Sequence, residues 1–544
     1  MLDALILAFY LQGTAAEDDF ETRLRRATGP SQLRDLEAWC AKSKRAEERK
    51  RVQQLLAKAS LPAKPAADFR AREAARANGD AARQAVSEFR EARAKAVAEE
   101  IRKIAAWMSE EKYAPAEARE RLQALVTALL SEEPDERKVL EGEIQAVVNA
   151  PEATDPSKKA EFDSRIKAVL RKFTTQIFSA VEKCLAAGEP GYAFDLYRFL
   201  LAVDPDNERA HKGLGETRVD GRWLRPFEVE QHRAGLGWDP VWGFVPHKGR
   251  DRYEKGEVFD LTSKQWGKPA DLNKLHADPA NPWKLESEHF LLISTADLSV
   301  NVKLLARMEA FFLQAFRQYD LFFAGKNPSK SAGLIFGMAP TKKRLKVYYY
   351  RDQAQFRQHA KPPTAWAAGF YSGGAGASYF YGEGERIPVL VMQHELTHQI
   401  LGEYSDGGSG GGPWLAEGAA VYLEDADFRN GTLSLGDLKD NHRVSDYRRR
   451  LRNKEKEHSL SYLLSTFGPG GNWDQGDISK NYRGAGAAMY FLMTFDGGRY
   501  RADTIQLLRD AYFAKPRPLD EYYGLSIAGL DFLMERFYRE CDVE

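Results

Sequence analysis

Two histidines four residues apart, His394 and His398, constrain this chain more than any other feature of its sequence. The segment that holds them reads as a helix, because Pro388 suits a first helical turn and Gly402 suits the exit. A spacing of four residues puts both imidazoles on one helical face. Two such imidazoles can share one Zn²⁺ ion, with Glu395 beside them as a base. The alternative is that the motif is a chance match on a buried helix. The surrounding sequence has to distinguish between these two interpretations.

A second helical segment follows a glycine-rich loop and brings a carboxylate toward the first. It runs from Pro413 to Glu424, and eighteen residues separate His398 from Glu417. This interval accommodates one loop and a helix that returns antiparallel. Glu417 can then complete a His₂Glu set that leaves one position of a tetrahedral zinc ion open. Glu424 lies on the same helical face as Glu417, where it either orients a ligand imidazole or remains a surface carboxylate.

Composition limits the classes of partner. The chain has 544 residues, which predicts two to four domains, and its 79 basic and 79 acidic residues balance. This balance gives no global reason to expect nucleic acid or an anionic membrane as partner. The scattered cysteines Cys40, Cys184 and Cys541 form neither a metal-ligand spacing nor a disulfide framework. Beyond the N-terminus, no stretch reaches the roughly 18 apolar residues of a membrane span.

The N-terminus bears on localisation. Leu2 to Leu11 is a short apolar run, and small residues follow it through Ala16. This pattern is typical of a secretory signal cleaved after that alanine, although Asp3 stands where a positive charge is usual. We therefore predict a possible signal peptide at residues 1–16 and export to a bacterial periplasm or cell envelope. The alternative is a first amphipathic helix on a cytoplasmic protein.

The remaining chain divides by its patterns into an all-α region, a helical hairpin, a β module and an α+β domain. Residues 17–160 carry dense charge with apolar residues at helical spacing, which predicts a solvated bundle or an arm that binds a protein partner. Residues 216–281 set tryptophans among glycines and prolines, typical of a small β module and linker. Residues 282–544 read as a small mixed sheet backed by helices, around the metal helix. Strands are predicted at 289–295, 334–336 and 346–350, a hairpin over 369–381, and helices over 302–323 and 352–359.

Residues 161–215 resemble part of a tetratricopeptide unit. The turn Asp204-Pro205-Asp206-Asn207 and the small residue Ala210 carry this resemblance. Stacking into an independent solenoid takes about three units, and the chain has one. The segment is therefore predicted to be a helical hairpin that packs on its neighbours.

The two-part metal motif resembles the gluzincin metallopeptidases. It looks most like the peptidase MA-like domains of bacterial envelope proteins and is more distantly similar to zinc aminopeptidases and thermolysin-like peptidases, over about residues 282–499. The resemblance implies that His394, His398 and Glu417 bind one zinc ion and that Glu395 is the general base. The residues that carry it are His394, Glu395, His398, Trp414, Leu415, Glu417, Gly418, Tyr422 and Glu424.

The aminopeptidase relatives also have a downstream tyrosine that stabilises the oxyanion of the reaction. Tyr482 matches its position and lies at the start of a predicted helix through Phe495, although the neighbouring glycines fall at different offsets. The alternative is a buried aromatic residue that anchors that helix. His442 and His458 are further candidates for the role, or surface histidines.

One departure from the aminopeptidases concerns the substrate. Those enzymes carry a Gly-x-Met-Glu-Asn segment whose glutamate binds a free amine, and this chain has none. Glu383 and Glu385 lie in glycine-rich surroundings that suit this role poorly. The gluzincin layout also implies that residues 372–376 lie by an edge strand that pairs with an extended peptide. The sequence therefore predicts zinc-dependent cleavage within a polypeptide substrate. The alternatives are an inactive metallopeptidase-like scaffold and hydrolysis of a non-peptide bond.

Overall fold

A computed structural model describes most of the chain, and its contacts form two compact units. The first unit lies within residues 1–72, 393–427 and 435–544, and the second within 73–392 and 428–434. The predicted signal peptide and the predicted strand at 334–336 lie outside the described residues, and the predicted domain boundaries stay predictions. No helix among the described residues is long and apolar enough to span a membrane. The described residues are 20–27, 29–59, 99–113, 115–129, 140–141, 155–186, 190–239, 241–323, 344–364, 367–384, 386–405, 410–429, 432–435, 438–513 and 516–541.

Helices make up most of the described chain, and short strands lie mainly in its middle third. The helices that begin before residue 300 are α1 (Phe20–Arg26), α2 (Pro30–Lys42), α3 (Ala46–Ala59), α4 (Ala116–Leu129), α5 (Pro156–Ala186), α6 (Pro190–Val203), α7 (Glu208–Gly213), α8 (Pro226–Arg233), α9 (Arg250–Glu254), α10 (Pro269–His276) and α11 (Leu298–Gln318). Residues 99–110 are also helical. The later helices are α12 (Asp320–Phe323), α13 (Gln353–Ala360), α14 (Val389–Glu403), α15 (Pro413–Glu424), α16 (His442–Arg452), α17 (Leu460–Phe467), α18 (Ile478–Gly498), α19 (Arg501–Phe513), α20 (Leu519–Tyr523) and α21 (Ile527–Arg539).

The second unit contains a five-stranded mixed sheet with the strand order β10-β11-β9-β8-β7. The central strands β8, β9 and β11 run parallel, while β7 and β10 pair antiparallel at the two edges. Along β9, Val347 on one sheet face is buried, while Tyr348 on the other face is half-exposed. The strands are β7 (Trp283–Glu286), β8 (Phe290–Ser294), β9 (Leu345–Tyr350), β10 (Gly369–Ser372) and β11 (Ala377–Tyr381).

The predicted mixed sheet backed by helices is confirmed in this part of the chain. The strands β8 and β9 form where runs of apolar and aromatic residues indicate them, and the β10–β11 hairpin forms around the glycine-rich turn. Asp352 caps α13 as its side chain predicts, because its Oδ1 accepts a hydrogen bond from the backbone N–H of Gln355 at 2.8 Å. The glycine-rich turn after Ser372 joins the edge strand β10 to β11.

The aromatic module predicted at 216–281 consists of three successive hairpins, each followed by a short helix. In the first and third hairpins, the second strand contains a tryptophan, and the proline that begins the helix follows it three residues later. These pairs are Trp223 with Pro226 and Trp266 with Pro269. Trp223 stacks on His211, with ring centroids 4.4 Å apart. The strands are β1 (Thr217–Val219), β2 (Arg222–Leu224), β3 (Leu236–Asp239), β4 (Gly243–Pro246), β5 (Val258–Asp260) and β6 (Gln265–Gly267).

The predicted helical hairpin corresponds to α5, α6 and α7. Buried residues such as Val181 and Leu196 pack α5 against α6. The turn before α7 closes because Asn207 accepts a hydrogen bond from the N–H of Ala210 and donates one to Asp204.

The first unit includes α1 to α3, most of α14, α15 and the later helices. Close packing of α15 on α18 depends on two glycines. A Cβ on Gly418 would lie 2.7 Å from the carbonyl oxygen of Ala485, and one on Gly486 would lie 2.3 Å from Val421. The backbones of the two helices therefore approach more closely than larger residues permit, and this approach positions the residues described next.

Candidate metal centre

Three predicted metal ligands converge in the first unit. His394 and His398 project from one face of α14, and Glu417 projects from α15. His394 Nε2 lies 3.1 Å from Glu417 Oε2 and 3.3 Å from His398 Nε2. His398 Nε2 lies 3.4 Å from the same Glu417 oxygen. The structure therefore brings together the three residues that the sequence indicates, through the loop between α14 and α15.

The spacing and chemistry of these atoms fit a metal ion. Ligand atoms at about 2.0–2.1 Å from a tetrahedral Zn²⁺ ion lie about 3.4 Å from one another, close to the separations here. The Nδ1 of His394 faces a Glu424 oxygen, so the proton of a neutral His394 belongs on Nδ1, and Nε2 keeps its lone pair. That lone pair points at the Glu417 carboxylate, itself an acceptor. Two acceptors at this distance need a proton or a metal cation between them.

The pKa values of these residues agree with this requirement. Burial acts to lower the pKa of His394, but its hydrogen bonds with Glu417 and Glu424 outweigh burial and raise the pKa to about 10. Burial acts to raise the pKa of Glu417, but His398 and His394 hold it well below its usual range. The pocket therefore favours positive charge between the carboxylate and the imidazoles.

Glu424 occupies the position predicted for a residue that orients a ligand. It is 2% exposed, and its Oε2 accepts a hydrogen bond from His394 Nδ1 at 2.9 Å. Its other oxygen, Oε1, accepts a hydrogen bond from Arg443 Nε at 2.6 Å. The alternative of a surface carboxylate does not fit this burial. Such a carboxylate–imidazole contact fixes the ring orientation and increases the basicity of Nε2.

A buried glutamine ties the two helices of the site together. Gln393, directly before His394, is fully buried. Its Nε2 donates to the carbonyl oxygens of Glu424 at 3.1 Å and Ala426 at 2.7 Å. These carbonyls lie at the last residue of α15 and two residues beyond it, where no further helical turn can satisfy them. Gln393 therefore fixes the end of α15 against α14.

Tyr482 lies beside the triad. Its ring centroid is 5.6 Å from that of His394, in a T-shaped arrangement. Burial and the charges of Glu417 and Glu395 raise the pKa of Tyr482 above its usual value. The phenol therefore keeps its proton at neutral pH and can donate a hydrogen bond. Glu395 is half-buried on α14, and its charge is felt by both His394 and Tyr482.

The other candidate residues have partners elsewhere. His442 is half-exposed and its Nδ1 contacts Asp425 at 2.8 Å, a hydrogen bond that raises the pKa of His442. His458 Nε2 contacts Asn481 at 3.0 Å, and burial lowers the pKa of this histidine. In the second unit, Glu383 is exposed and its backbone bridges Arg386. Glu385 lies outside the described residues.

Two further groups of acidic and histidine side chains are close enough to hold a metal among the described residues: Glu288 with His289 and Glu309, and Glu424 with Asp425 and His442. In the first, the Glu309 carboxylate already accepts hydrogen bonds from Ser287 and His289. In the second, the carboxylates are engaged by His394, Arg443 and His442. We interpret both groups as hydrogen-bonded networks.

Sequence reasoning missed several residues around the site. Arg443 and Trp473 both contact the ring of Tyr482, at 4.8 Å from the guanidinium carbon and 5.3 Å between ring centroids. Tyr512 is buried on α19, and the charge of Glu417 contributes to raising its pKa. Among the residues near the site, only Gln393 could have been suspected from the sequence, because it directly precedes His394. The others come from distant segments.

Comparisons with protein-family models, with curated proteins and with solved structures find no match to this chain. The case for its function therefore depends on the residues of the candidate metal centre.

Proposed function

We propose that this protein is a zinc-dependent peptidase that cleaves bonds within a polypeptide. The supporting observation is the convergence of donor atoms from His394, His398 and Glu417 within 3.4 Å of one another, with Glu395 adjacent in sequence. Three protein ligands leave one position of a tetrahedral zinc ion free, as catalytic sites require. When bound, Zn²⁺ would supply Lewis acidity toward a substrate carbonyl and toward water.

The residues of the chain carry the proton transfers. Glu395 takes a proton from water as the water oxygen bonds to the peptide carbonyl carbon. It gives that proton to the amine nitrogen as the carbon–nitrogen bond breaks. The Tyr482 hydroxyl donates a hydrogen bond to the carbonyl oxygen as negative charge develops there. Glu424 keeps His394 oriented throughout, by accepting from its Nδ1.

We propose cleavage of internal bonds because the sequence contains no segment like the one that binds a free amine in the zinc aminopeptidases. Glu383, one of the two acids near the expected place of that segment, is exposed in a turn. These residues therefore offer no dedicated negative charge to bind the free amine of a substrate. This favours cleavage of internal peptide bonds over removal of N-terminal residues.

The test combines metal analysis with digestion of a peptide library. We expect about one zinc per chain in the parent protein and in the variant Glu395→Gln, because residue 395 is not a ligand. We expect the variant to lose about 10²–10⁴-fold in kcat, the usual contribution of a general base. Glu403→Gln, on the same helix outside the motif, is the matched control. A variant Glu395→Gln that cleaves as fast as the parent would refute the assigned base.

The alternative of an inactive scaffold makes a different prediction in the same experiment. It predicts no cleavage of any peptide by the parent protein, and zinc well below one ion per chain. A hydrolase for a non-peptide bond would give the same peptide result, but loss of its own activity in Glu395→Gln.

A further inference from the structure

Arg443 is the one cation whose side chain contacts both Glu424 and Tyr482 in the described part of the chain. Its Nε donates to Glu424 Oε1 at 2.6 Å, while the other oxygen of that carboxylate holds His394 Nδ1. Its guanidinium carbon lies 4.8 Å from the centre of the Tyr482 ring, a cation–π distance. Arg443 is therefore linked through Glu424 to the proposed metal ligand His394, and it directly contacts Tyr482, the proposed oxyanion donor.

The position of Arg443 is fixed by the start of α16. Asn441 caps this helix, since its Oδ1 accepts from the N–H of Val444 at 3.0 Å. The amide of the same side chain donates to the carbonyl oxygen of Val421 on α15 at 2.8 Å. The first turn of α16 is thereby held against the helix that carries Glu417 and Glu424.

The hydrogen bond between Arg443 and Glu424 is important because Glu424 is buried. A carboxylate that is 2% exposed is costly to keep charged without a cation beside it. Apart from His394 itself, the next basic side chain is His442, whose Nδ1 lies 3.9 Å from Oε1 and is closer to Asp425. Without Arg443, the Oε1 atom of Glu424 would lose its hydrogen bond at 2.6 Å, and the carboxylate would hold His394 less firmly.

We propose that Arg443 is a positioning residue of the candidate metal centre, acting on His394 through Glu424 and on Tyr482 directly. The catalytic part of this inference rests on the proposed function. The positioning part is independent of it, because metal affinity is measured without any substrate.

The experiment is a double-mutant cycle on the full-length protein, with Zn²⁺ affinity read by competition with a chromophoric chelator. The variants are Arg443→Met, Glu424→Gln and the pair together. We expect each single variant to weaken Zn²⁺ binding about 10–100-fold, as loss of such an outer contact does. The double variant should bind no more weakly than the weaker single variant, because both changes interrupt one chain of contacts. It also removes the unpaired buried charge, which guards against misfolding of Arg443→Met alone.

Two further variants separate positioning from a general structural role. Arg443→Lys should recover part of the affinity, because it restores the charge without the planar geometry of the guanidinium. Arg449→Met is the matched control: this exposed arginine of α16 pairs only with Asp446 among the contacts described for it, and its loss should leave the affinity unchanged.

Parent-like zinc affinity in Arg443→Met would overturn the inference, and so would losses that multiply in the double variant. If the affinities follow the cycle while no peptide is cleaved by any protein, the peptidase proposal fails and the positioning role stands. If peptides are cleaved and Arg443→Met keeps the parent's zinc affinity and kcat, the peptidase proposal stands and this inference fails.

Discussion

The Tyr482 ring packs edge to face on that of His394, which places this tyrosine beside the proposed metal ligands. We expect Tyr482→Phe to lower kcat about 10²–10³-fold with zinc content unchanged, because a single donor to a developing oxyanion contributes about this much. Steady-state kinetics with metal analysis measure both quantities. Tyr462→Phe, at an exposed ring that stacks on His458, is the control. Parent-like kcat in Tyr482→Phe would instead favour a purely structural anchor.

A second prediction at the residue scale concerns acid stability. Burial acts to raise the pKa of Glu309, but its hydrogen bonds with His289 and Ser287 outweigh burial and hold the pKa below 4.5. A depressed pKa in the folded state stabilises the protein above the unfolded value, and this contribution is lost as the pH falls from about 4.5 through the folded value. We expect Glu309→Gln to lower the free energy of unfolding at pH 7 by about 1–3 kcal/mol. It should also flatten the pH dependence below pH 5.

Urea unfolding between pH 7 and pH 3 measures this effect. The exposed Glu254, changed to Gln, is the control and should follow the parent curve. If Glu309→Gln and the control have the same unfolding free energy at every pH, the network around His289 contributes nothing to acid stability.

Individual site residues differ in how far the sequence could indicate them. Local helical geometry predicts that His394 and His398 share a face, while the interval to Glu417 only allows a second helix to return and meet them. Glu424 follows from the same helical periodicity. Arg443 does not, because its contact with Glu424 depends on how α16 folds back onto α15. Such tertiary contacts leave no periodic pattern in the chain.

At the scale of elements, Gly418 lets α15 pack closely on α18, and this packing positions the residues of the candidate metal centre. A Cβ at residue 418 would lie 2.7 Å from a carbonyl oxygen of α18. We expect Gly418→Ala to destabilise the protein by about 1–3 kcal/mol, although alanine favours a helix interior by about 1 kcal/mol. Because the two helices carry Glu417 and Tyr482, zinc affinity should fall as well.

Thermal unfolding and zinc competition test this prediction against a glycine in open space. A Cβ on Gly374 would meet nothing within 4 Å, so Gly374→Ala is the matched control. If Gly418→Ala unfolds like the control and keeps the parent's zinc affinity, the helices tolerate a wider separation than the packing implies.

In the middle of the chain, some strands are too short to be predicted from the sequence. Runs of apolar and aromatic residues predict β8 and β9, because each run is five or six residues long. The strands of the hairpin units are only three or four residues long, too short for that signal. Their repeat is still readable from Trp223 and Trp266, each followed three residues later by a proline. Aromatic content alone indicated a β module without this internal order.

At the scale of the whole molecule, the first unit combines the N-terminal helices with the C-terminal helix α21. Arg536 on α21 is 2% exposed, and its guanidinium donates to the carbonyl oxygens of Leu24 and Ala27 at the end of α1. Lys58 of α3 lies over the ring of Phe532, 5.7 Å from its centre. These contacts span about five hundred residues of sequence, so no local pattern could predict them. Residues 17–160, predicted as one helical region, are divided between the two units.

The last prediction tests this closure of the first unit. Arg536→Met leaves two buried carbonyl oxygens without their charged donor, so we expect a loss of about 2–4 kcal/mol in unfolding free energy. Limited proteolysis should then cut among the N-terminal helices before it cuts near α14. Arg539→Met, on the exposed side of the same helix, is the control and should resemble the parent. Equal proteolysis of the two variants would mean that the hydrophobic cluster of Phe20, Leu24, Leu33 and Val52 keeps these helices folded without Arg536.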